Sequence, residues 1–331
     1  MATDVQRLIK SLGGISDFDY REVAALERWQ AAAARWPMLT ATNRLLVERL
    51  LNGPPPRPPQ KTPVHAAFTT ALISLAGGTG RSTLVANVTA ALGQNGRQAM
   101  AVDLDPQNGL GLHFGMDPAE VIGLVSPNLS SVGVHTWLAR FRGGAAVFPF
   151  GRLDSAQLAT LESVVAEDTT WVQQRLKSVV PAQTEFLLLD TPAVQGPWVK
   201  AALSFADAVI VVLQPNATAY ATLPAVEALL SEHHPHGNRH ARYLLNGFDA
   251  RRSLDRDIFG SLRGMLGDRA FAFPVQGDSI VPEALARRKL IVQEAADSQV
   301  VAALAGLAEW LETEAAGRME PAEQPKRAAV R

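Results

Sequence analysis

Short apolar runs alternate with helical patterns along most of this chain, and this alternation constrains its fold more than any other feature. Near-continuous apolar strands separated by helices predict an α/β fold, in which a mostly parallel twisted sheet carries helices on both faces. Ligands of such sheets bind beyond the carboxyl ends of the strands. The predicted strands are residues 71–76, 99–103, 145–150, 186–190, 208–213, 243–246 and 270–273. The predicted helices include residues 82–92, 170–179, 197–205, 223–231, 255–265 and 300–314.

A proline-rich run at residues 53–59 is the clearest boundary, because such a run forms an extended spacer that joins neither helix nor sheet. We therefore predict a small helical module at residues 1–52, a linker at 53–66 and a main domain at 67–316. Residues 317–331 are predicted to be a disordered tail. The module is too short to bury much core, so we expect its apolar faces to need another surface.

Composition excludes several classes of function. The 331 residues are 47% hydrophobic, which is enough for a core. The net charge of −1 gives no overall field that would attract nucleic acid or anionic lipid. The absence of Cys excludes disulfides, Cys-based zinc sites and iron–sulfur clusters. The chain begins without the apolar run of a signal peptide and has no apolar run of membrane-spanning length. We expect a cytoplasmic protein without direct membrane insertion.

A glycine-rich segment, Gly77-Gly78-Thr79-Gly80-Arg81-Ser82-Thr83, joins the first predicted strand to a helix. Its glycines allow backbone N–H groups to curl around an anion, and the helix adds its N-terminal donors and dipole. Ser82 is placed as a Mg²⁺ ligand, as the Ser or Thr of a P-loop is. The standard motif would have Gly at Leu75 and Lys at Arg81. The alternative interpretation is an ordinary glycine-rich turn.

Acidic residues follow two other predicted strands. Asp103 and Asp105 follow one strand, and Asp190 ends another, so their carboxylates should meet the loop at one edge of the sheet. A phosphate and Mg²⁺ site needs one carboxylate near the metal and another that orients an attacking water. We predict Ser82, Asp103 and Asp190 around Mg²⁺, with residues 77–83 and Asp103 around the nucleotide. For each Asp taken alone, the alternative is a turn residue at a strand end.

These segments resemble the ParA/MinD family of deviant Walker ATPases, which have a P-loop NTPase fold. Residues 77–83 are similar to its K-G-G-V-G-K-(S/T)-T loop, residues 103–107 to its D-x-D-P-Q segment, and residues 190–192 to its D-T-P segment. The resemblance implies ATP and Mg²⁺ as cofactors and a homodimer that closes around ATP. It also implies that Asp105 orients the catalytic water, and that Asn246, Pro274 and Val275 lie beside adenine.

Within that family the chain resembles the BcsQ branch of cellulose-biosynthesis ATPases. Residues 148–153 resemble a "PFG-x-L" segment of that branch, and residues 245–249 resemble an "IN-D-F" segment. In the N-terminal module, residues 15–20 and 34–39 resemble the "PDIDY" and "KRWPLL" segments of BcsR, a short partner protein. The resemblance implies docking onto an inner-membrane cellulose synthase complex and its cytosolic regulators, with peripheral recruitment through those partners.

Two positions depart from the ParA/MinD pattern. Ala76 stands where that family has a Lys that reaches the partner subunit's nucleotide, and Arg81 replaces the P-loop Lys. Arg keeps the charge but is bulkier and planar. We therefore predict ATP binding with slow or absent hydrolysis.

Two other functions are considered beside a regulatory ATPase. One is a positioning ATPase that binds nucleoid DNA through basic segments at residues 251–252 and 287–289, which the net charge disfavours. The other is a scaffold that uses ATP only as structural support. The histidines at positions 233, 234, 236 and 240 are predicted to lie in a solvated loop.

Overall fold

The computed structural model describes residues 67–117, 122–126, 139–140, 144–193 and 195–319. The predicted N-terminal module and linker, at residues 1–66, lie outside the described residues, as does the tail from residue 320.

A single sheet of eight strands runs through the described part of the chain, in the order β3-β4-β2-β5-β1-β6-β7-β8. Its neighbouring strands are parallel except for the pair of β3 and β4 at one edge, which is antiparallel. The strands are β1 (Phe68–Ile73), β2 (Ala99–Asp103), β3 (Ala139–Arg140), β4 (Ala145–Phe148), β5 (Phe186–Asp190), β6 (Ala208–Leu213), β7 (Ala241–Phe248) and β8 (Val275–Gln276). Strands β1, β2, β5 and β6 are buried along their whole length, as a sheet covered on both faces requires.

The helices of the described residues connect these strands. They are α1 (Arg81–Gln94), α2 (Ser155–Glu167), α3 (Thr170–Val179), α4 (Pro197–Phe205), α5 (Ala217–Ala221), α6 (Leu223–His233), α7 (Ser253–Leu266), α8 (Ile280–Ala286), α9 (Ile291–Glu294) and α10 (Gln299–Met319). Short 3₁₀ turns occur at Leu110–Phe114 and Gly267–Arg269. Among the described residues, no helix is both long and apolar enough to cross a bilayer.

Two apolar layers cover the sheet, and alternate residues of each strand contribute to them. Ala71 and Ile73 of β1 pack into the layer under α2, α3, α4, α6 and α7. Leu72 faces the opposite layer, which α1, α8, α9 and α10 cover. The predicted α/β fold, with helices on both faces of a mostly parallel sheet, is therefore confirmed.

Several predicted boundaries are wrong. Residues 270–273 do not form a strand. Only Ala270 makes an isolated bridge, to Tyr243, and the strand follows at β8. The first strand ends at Ile73 because the Ser74 hydroxyl closes a turn on Ala76, accepting from its N–H at 3.2 Å and donating to its carbonyl at 3.0 Å. Helix α10 extends to Met319, so the predicted tail is helical over residues 317–319.

Candidate phosphate-binding site

The segment between β1 and α1 forms an open loop at the carboxyl edge of the sheet. Gly78 and Gly80 have φ angles of 71° and 84°, a left-handed backbone that glycine adopts without strain. Gly77 and Gly78 are exposed. Gly80 is the N-cap of α1 and no side chain caps that end. The first N–H groups of the helix are thus left for an external acceptor, as an anion-binding loop requires.

Two amide side chains from neighbouring strands hold this loop. The Asn246 Nδ2 in β7 donates to the Thr79 carbonyl at 2.7 Å. The Gln214 Nε2, just after β6, donates to the Gly78 carbonyl at 2.9 Å. Asn246 was predicted at the site from the family resemblance, whereas Gln214 was missed. The only signal for Gln214 in the sequence was its place directly after an apolar strand.

Two aspartates lie side by side at the same edge. Asp103 of β2 and Asp190 of β5 are paired in register, and their residues are at most 1% exposed. The Asp103 oxygens accept the N–H groups of Asp105 at 2.9 Å and Leu110 at 3.0 Å. Asp103 therefore fixes the loop that follows β2. Burial, and then the charge of Asp190, raise the pKa of Asp103 well above its ordinary value.

Asp190 differs from Asp103 because neither of its buried oxygens accepts a well-formed hydrogen bond. Burial raises its pKa to about 7, although the Ser82 hydroxyl and the Arg81 guanidinium lie close enough to oppose that rise. A buried carboxylate without full hydrogen bonding carries a desolvation penalty that a cation would offset.

Arg81 supplies part of that positive charge. Its side chain is 8% exposed, and its nitrogens lie 3.9 Å from Asp105 Oδ2 and 3.9 Å from Asp190 Oδ1. Its Nη1 also donates to the Ser74 carbonyl at 3.4 Å. Burial lowers the pKa of Arg81, and the carboxylates of Asp190, Asp105 and Asp103 oppose this. The guanidinium is thus turned toward the acidic residues.

The remaining predicted residues lie at the same edge. Asp105 accepts the Gln107 N–H at 2.9 Å, while Ser82 and Thr83 are half-buried in the first turn of α1. Val275 is the register partner of Asn246, and the residue is 2% exposed. Pro274 precedes it and is half-buried.

The donor set fits a phosphate group with Mg²⁺. The loop offers backbone N–H groups and a basic side chain, and the Asp190 oxygens lack good partners beside the Ser82 hydroxyl. Hard oxygen ligands of this kind suit Mg²⁺.

A family model described as "Cellulose biosynthesis protein BcsQ" matches residues 69–311. The chain belongs to the BcsQ family. A second model, "Cellulose biosynthesis protein BcsR-like", matches residues 2–42. The N-terminal module resembling BcsR is thereby confirmed at the level of sequence. No curated protein sequence matches this BcsQ family member closely enough to count as a relative.

Solved structures of the ParA/MinD type share the fold of this BcsQ family member. The cell division ATPase MinD of Pyrococcus furiosus has a TM-score of 0.61 at 22% identity, over 75% of this chain and 99% of its own. MinD of Pyrococcus horikoshii, complexed with Mg-ADP, has a TM-score of 0.60 at 21% identity, over 77% of this chain and 100% of its own. Cobyrinic acid a,c-diamide synthase of Mycobacterium smegmatis, with a bound ATP analogue and magnesium, has a TM-score of 0.60 at 23% identity, over 77% of this chain and 98% of its own.

The basic segments and the histidine cluster lie outside this site. Arg251 pairs with Asp249 at 2.9 Å, and Lys289 pairs with Glu294 at 2.7 Å, so these basic segments carry their own counterions. The predicted solvated loop is wrong for His234, which is buried between the carbonyls of Gly237 and Ala206. Within the described ranges there is no group of three or more His, Asp or Glu side chains that could hold a metal ion.

Proposed function

We propose that this BcsQ family member binds ATP with Mg²⁺ at residues 77–83 and acts as an ATP-dependent regulator of a cellulose synthase complex. The observation that carries the proposal is the juxtaposition of the loop with Asp190. The α1 N-terminus has no side-chain cap, and the Asp190 oxygens lack well-formed hydrogen bonds. The uncapped N–H groups can bind an anion, and the buried Asp190 oxygens are costly to leave without partners, so a magnesium-bound phosphate would suit both.

Each group at the site has a distinct role in this proposal. The N–H groups of the loop and the Arg81 guanidinium bind the phosphates, since Arg can bridge phosphate oxygens. Ser82 and Asp190 hold the metal, with the paired Asp103 beside them, and the metal neutralises phosphate charge when it is bound. Asp103 holds the loop after β2 through Asp105 and Leu110, and Asp105 orients water. Asn246, Pro274 and Val275 lie on the side assigned to adenine.

Slow or absent hydrolysis is expected because of the residues at positions 76 and 81. Ala76 has no charged group that could reach a partner subunit's nucleotide. The Arg81 guanidinium is drawn toward Asp105 and Asp190. Each 1.4 kcal/mol of lost transition-state stabilisation slows turnover about tenfold. We therefore propose a homodimer held together by ATP, which persists longer than the dimer of a fast ATPase.

The fused N-terminal segment supports the proposed partners. Residues 2–42 match a BcsR-like model and residues 69–311 match BcsQ, so one chain combines two proteins of cellulose biosynthesis. We propose that this cytoplasmic protein is recruited peripherally to an inner-membrane cellulose synthase complex and its cytosolic regulators. The ion-paired arginines disfavour the alternative of a DNA-bound positioning ATPase.

The test uses the full chain and measures ATP affinity by calorimetry, mass by size-exclusion with light scattering, and phosphate release. We expect Mg²⁺-dependent ATP binding, a dimer with ATP and slow turnover that Asp105→Asn abolishes. Asp297→Asn, at an exposed position, is the matched control. Failure to bind ATP would overturn the proposal. Turnover unchanged by Asp105→Asn would favour the scaffold, and salt-dependent DNA binding with ATP would favour the positioning ATPase.

A further inference from the structure

We infer that Gln214 and Asn246 are positioning residues of the phosphate loop: each fixes one loop carbonyl so that the N–H group of the following residue faces the ligand. This inference rests on the proposed function. It assigns a role to Gln214, which matched no sequence motif, and a role to Asn246 that is separate from any contact with adenine.

Both side chains reach the loop from strands on the same side of β1. The sheet order places β6 beside β1 and β7 beside β6. Gln214 follows the last residue of β6, and Asn246 lies near the end of β7. Their amides donate to consecutive carbonyls, those of Gly78 at 2.9 Å and Thr79 at 2.7 Å. The loop is therefore held at two successive peptide groups from one side.

Peptide geometry converts these two contacts into an orientation of N–H groups. In a planar trans peptide, the carbonyl of one residue and the N–H of the next point in opposite directions. Fixing the Gly78 carbonyl toward Gln214 turns the Thr79 N–H away from Gln214. Fixing the Thr79 carbonyl toward Asn246 turns the Gly80 N–H away from Asn246. The same contacts keep two carbonyl oxygens from facing an anion, which they would repel.

The orientation of the Gln214 amide is itself fixed. Its Oε1 accepts a hydrogen bond from Asn216 Nδ2 at 3.2 Å. Asn216 in turn caps α5, where its Oδ1 accepts the Ala219 N–H at 2.7 Å. A reversed amide would place Gln214 oxygen against the Gly78 carbonyl and lose both contacts. The loop is thus connected to the N-terminus of α5.

Gly80 shows how closely Asn246 approaches the loop. A Cβ built on Gly80 would lie 2.3 Å from the Asn246 Nδ2. The absence of a side chain at Gly80 is therefore needed for the Asn246 contact as well as for its left-handed backbone, at φ 84°.

The test separates a contact with the phosphate loop from a contact with the base. Gln214→Met and Asn246→Leu remove the amide donors with little change in size and add no charge. Affinities for Mg²⁺-ATP and for Mg²⁺ with inorganic tripolyphosphate, which has no base, are measured on the full chain by calorimetry. We expect Gln214→Met to bind both ligands about tenfold more weakly, by the same factor for each. Asn246→Leu should bind tripolyphosphate about tenfold more weakly, and ATP at least as much more weakly, since its amide also lies on the side assigned to adenine.

Gln94→Met serves as the matched control, because Gln94 is exposed at the far end of α1, about 20 Å from the loop. A thermal unfolding midpoint close to that of the unaltered chain shows that a variant is folded. Loss of ATP affinity with unchanged tripolyphosphate affinity would overturn the inference in favour of a base contact. Unchanged affinity for both ligands would also overturn it. If the unaltered chain bound neither ligand, the proposed function would fail, and the inference with it.

Discussion

Asp103 and Asp190 are register partners at the ends of β2 and β5, and both carboxyl groups are buried. Their oxygens are used differently, since backbone N–H groups occupy those of Asp103 while those of Asp190 lack well-formed hydrogen bonds. The pair therefore combines a carboxylate that organises the chain with one that is free to accept a cation.

Asp190→Asn should change how stability depends on pH in the ligand-free protein. Burial raises the folded-state pKa of Asp190 to about 7, so the folded chain retains a proton that the unfolded chain releases near pH 4. The stabilisation of the folded chain by this retained proton is fully present below about pH 4 and is lost as the pH rises through 7. At pH 8 we expect the variant to be about 2 kcal/mol more stable than the unaltered chain, with the advantage shrinking toward pH 5.

Urea denaturation with EDTA at pH 5, 6, 7 and 8 measures this difference. Asp297→Asn is the control, because that residue is exposed. Parallel stability curves for Asp190→Asn and the unaltered chain would contradict the prediction.

Arg81 and Asp190 should be energetically coupled. Arg81→Met removes the cation and leaves the buried Asp190 less compensated, which we expect to cost about 2–3 kcal/mol at pH 8. In the Asp190→Asn background the same change should cost about 1 kcal/mol less, because the carboxylate is then absent. A double-mutant cycle by urea denaturation gives the coupling free energy. Additive effects of the two substitutions would show that the 3.9 Å approach of Arg81 to Asp190 contributes nothing to the free energy of unfolding.

Gly80→Ala should weaken both the fold and the site. It places a Cβ at a φ of 84° and 2.3 Å from Asn246 Nδ2, at a cost of about 1–3 kcal/mol. ATP affinity, measured by calorimetry, should fall about tenfold because the Asn246 contact is displaced. Gly260→Ala is the matched control, since a Cβ there meets nothing within 4 Å. Adding Asn246→Ala to Gly80→Ala should restore part of the lost stability. No restoration would mean that the backbone strain alone accounts for the loss.

Ala76→Lys should accelerate ATP hydrolysis. It restores a cation where the ParA/MinD pattern has the Lys that reaches across the dimer, and one such charge is worth about tenfold or more in rate. Phosphate release is compared with that of Ala76→Met, which has similar length and no charge. Equal rates for the two variants would show that the missing Lys does not limit turnover.

The central part of the fold could be predicted from sequence because its strands are uniformly buried and therefore continuously apolar. Residues 270–273 were misread as a strand, since Phe271 and Phe273 imitate strand alternation. In fact Phe271 packs on Trp310 of α10 with ring centroids 5.1 Å apart. Helix α2 was missed because Val165 is its only buried residue, although the capping box of Asp154 and Gln157 marked its start.

The candidate site, like the fold, could be predicted from the sequence only in part. Local spacing was enough to predict the glycine loop and the acidic strand ends. The direction of the Arg81 side chain was not predictable, because it depends on carboxylates from two other strands. Gln214 was missed because its contact joins residues 136 positions apart, and a lone Gln after a strand has no distinctive pattern.

The end of α10 lies beside the start of β1, on the edge of the sheet opposite the loop. Arg318 donates to Asp207 at 2.6 Å, and the same Asp207 oxygen accepts the Thr69 N–H at 2.8 Å. The chain thus enters and leaves the described domain at neighbouring points. A fluorophore attached directly at residue 67 or residue 319 of this domain would therefore sit at the edge of the sheet opposite the loop.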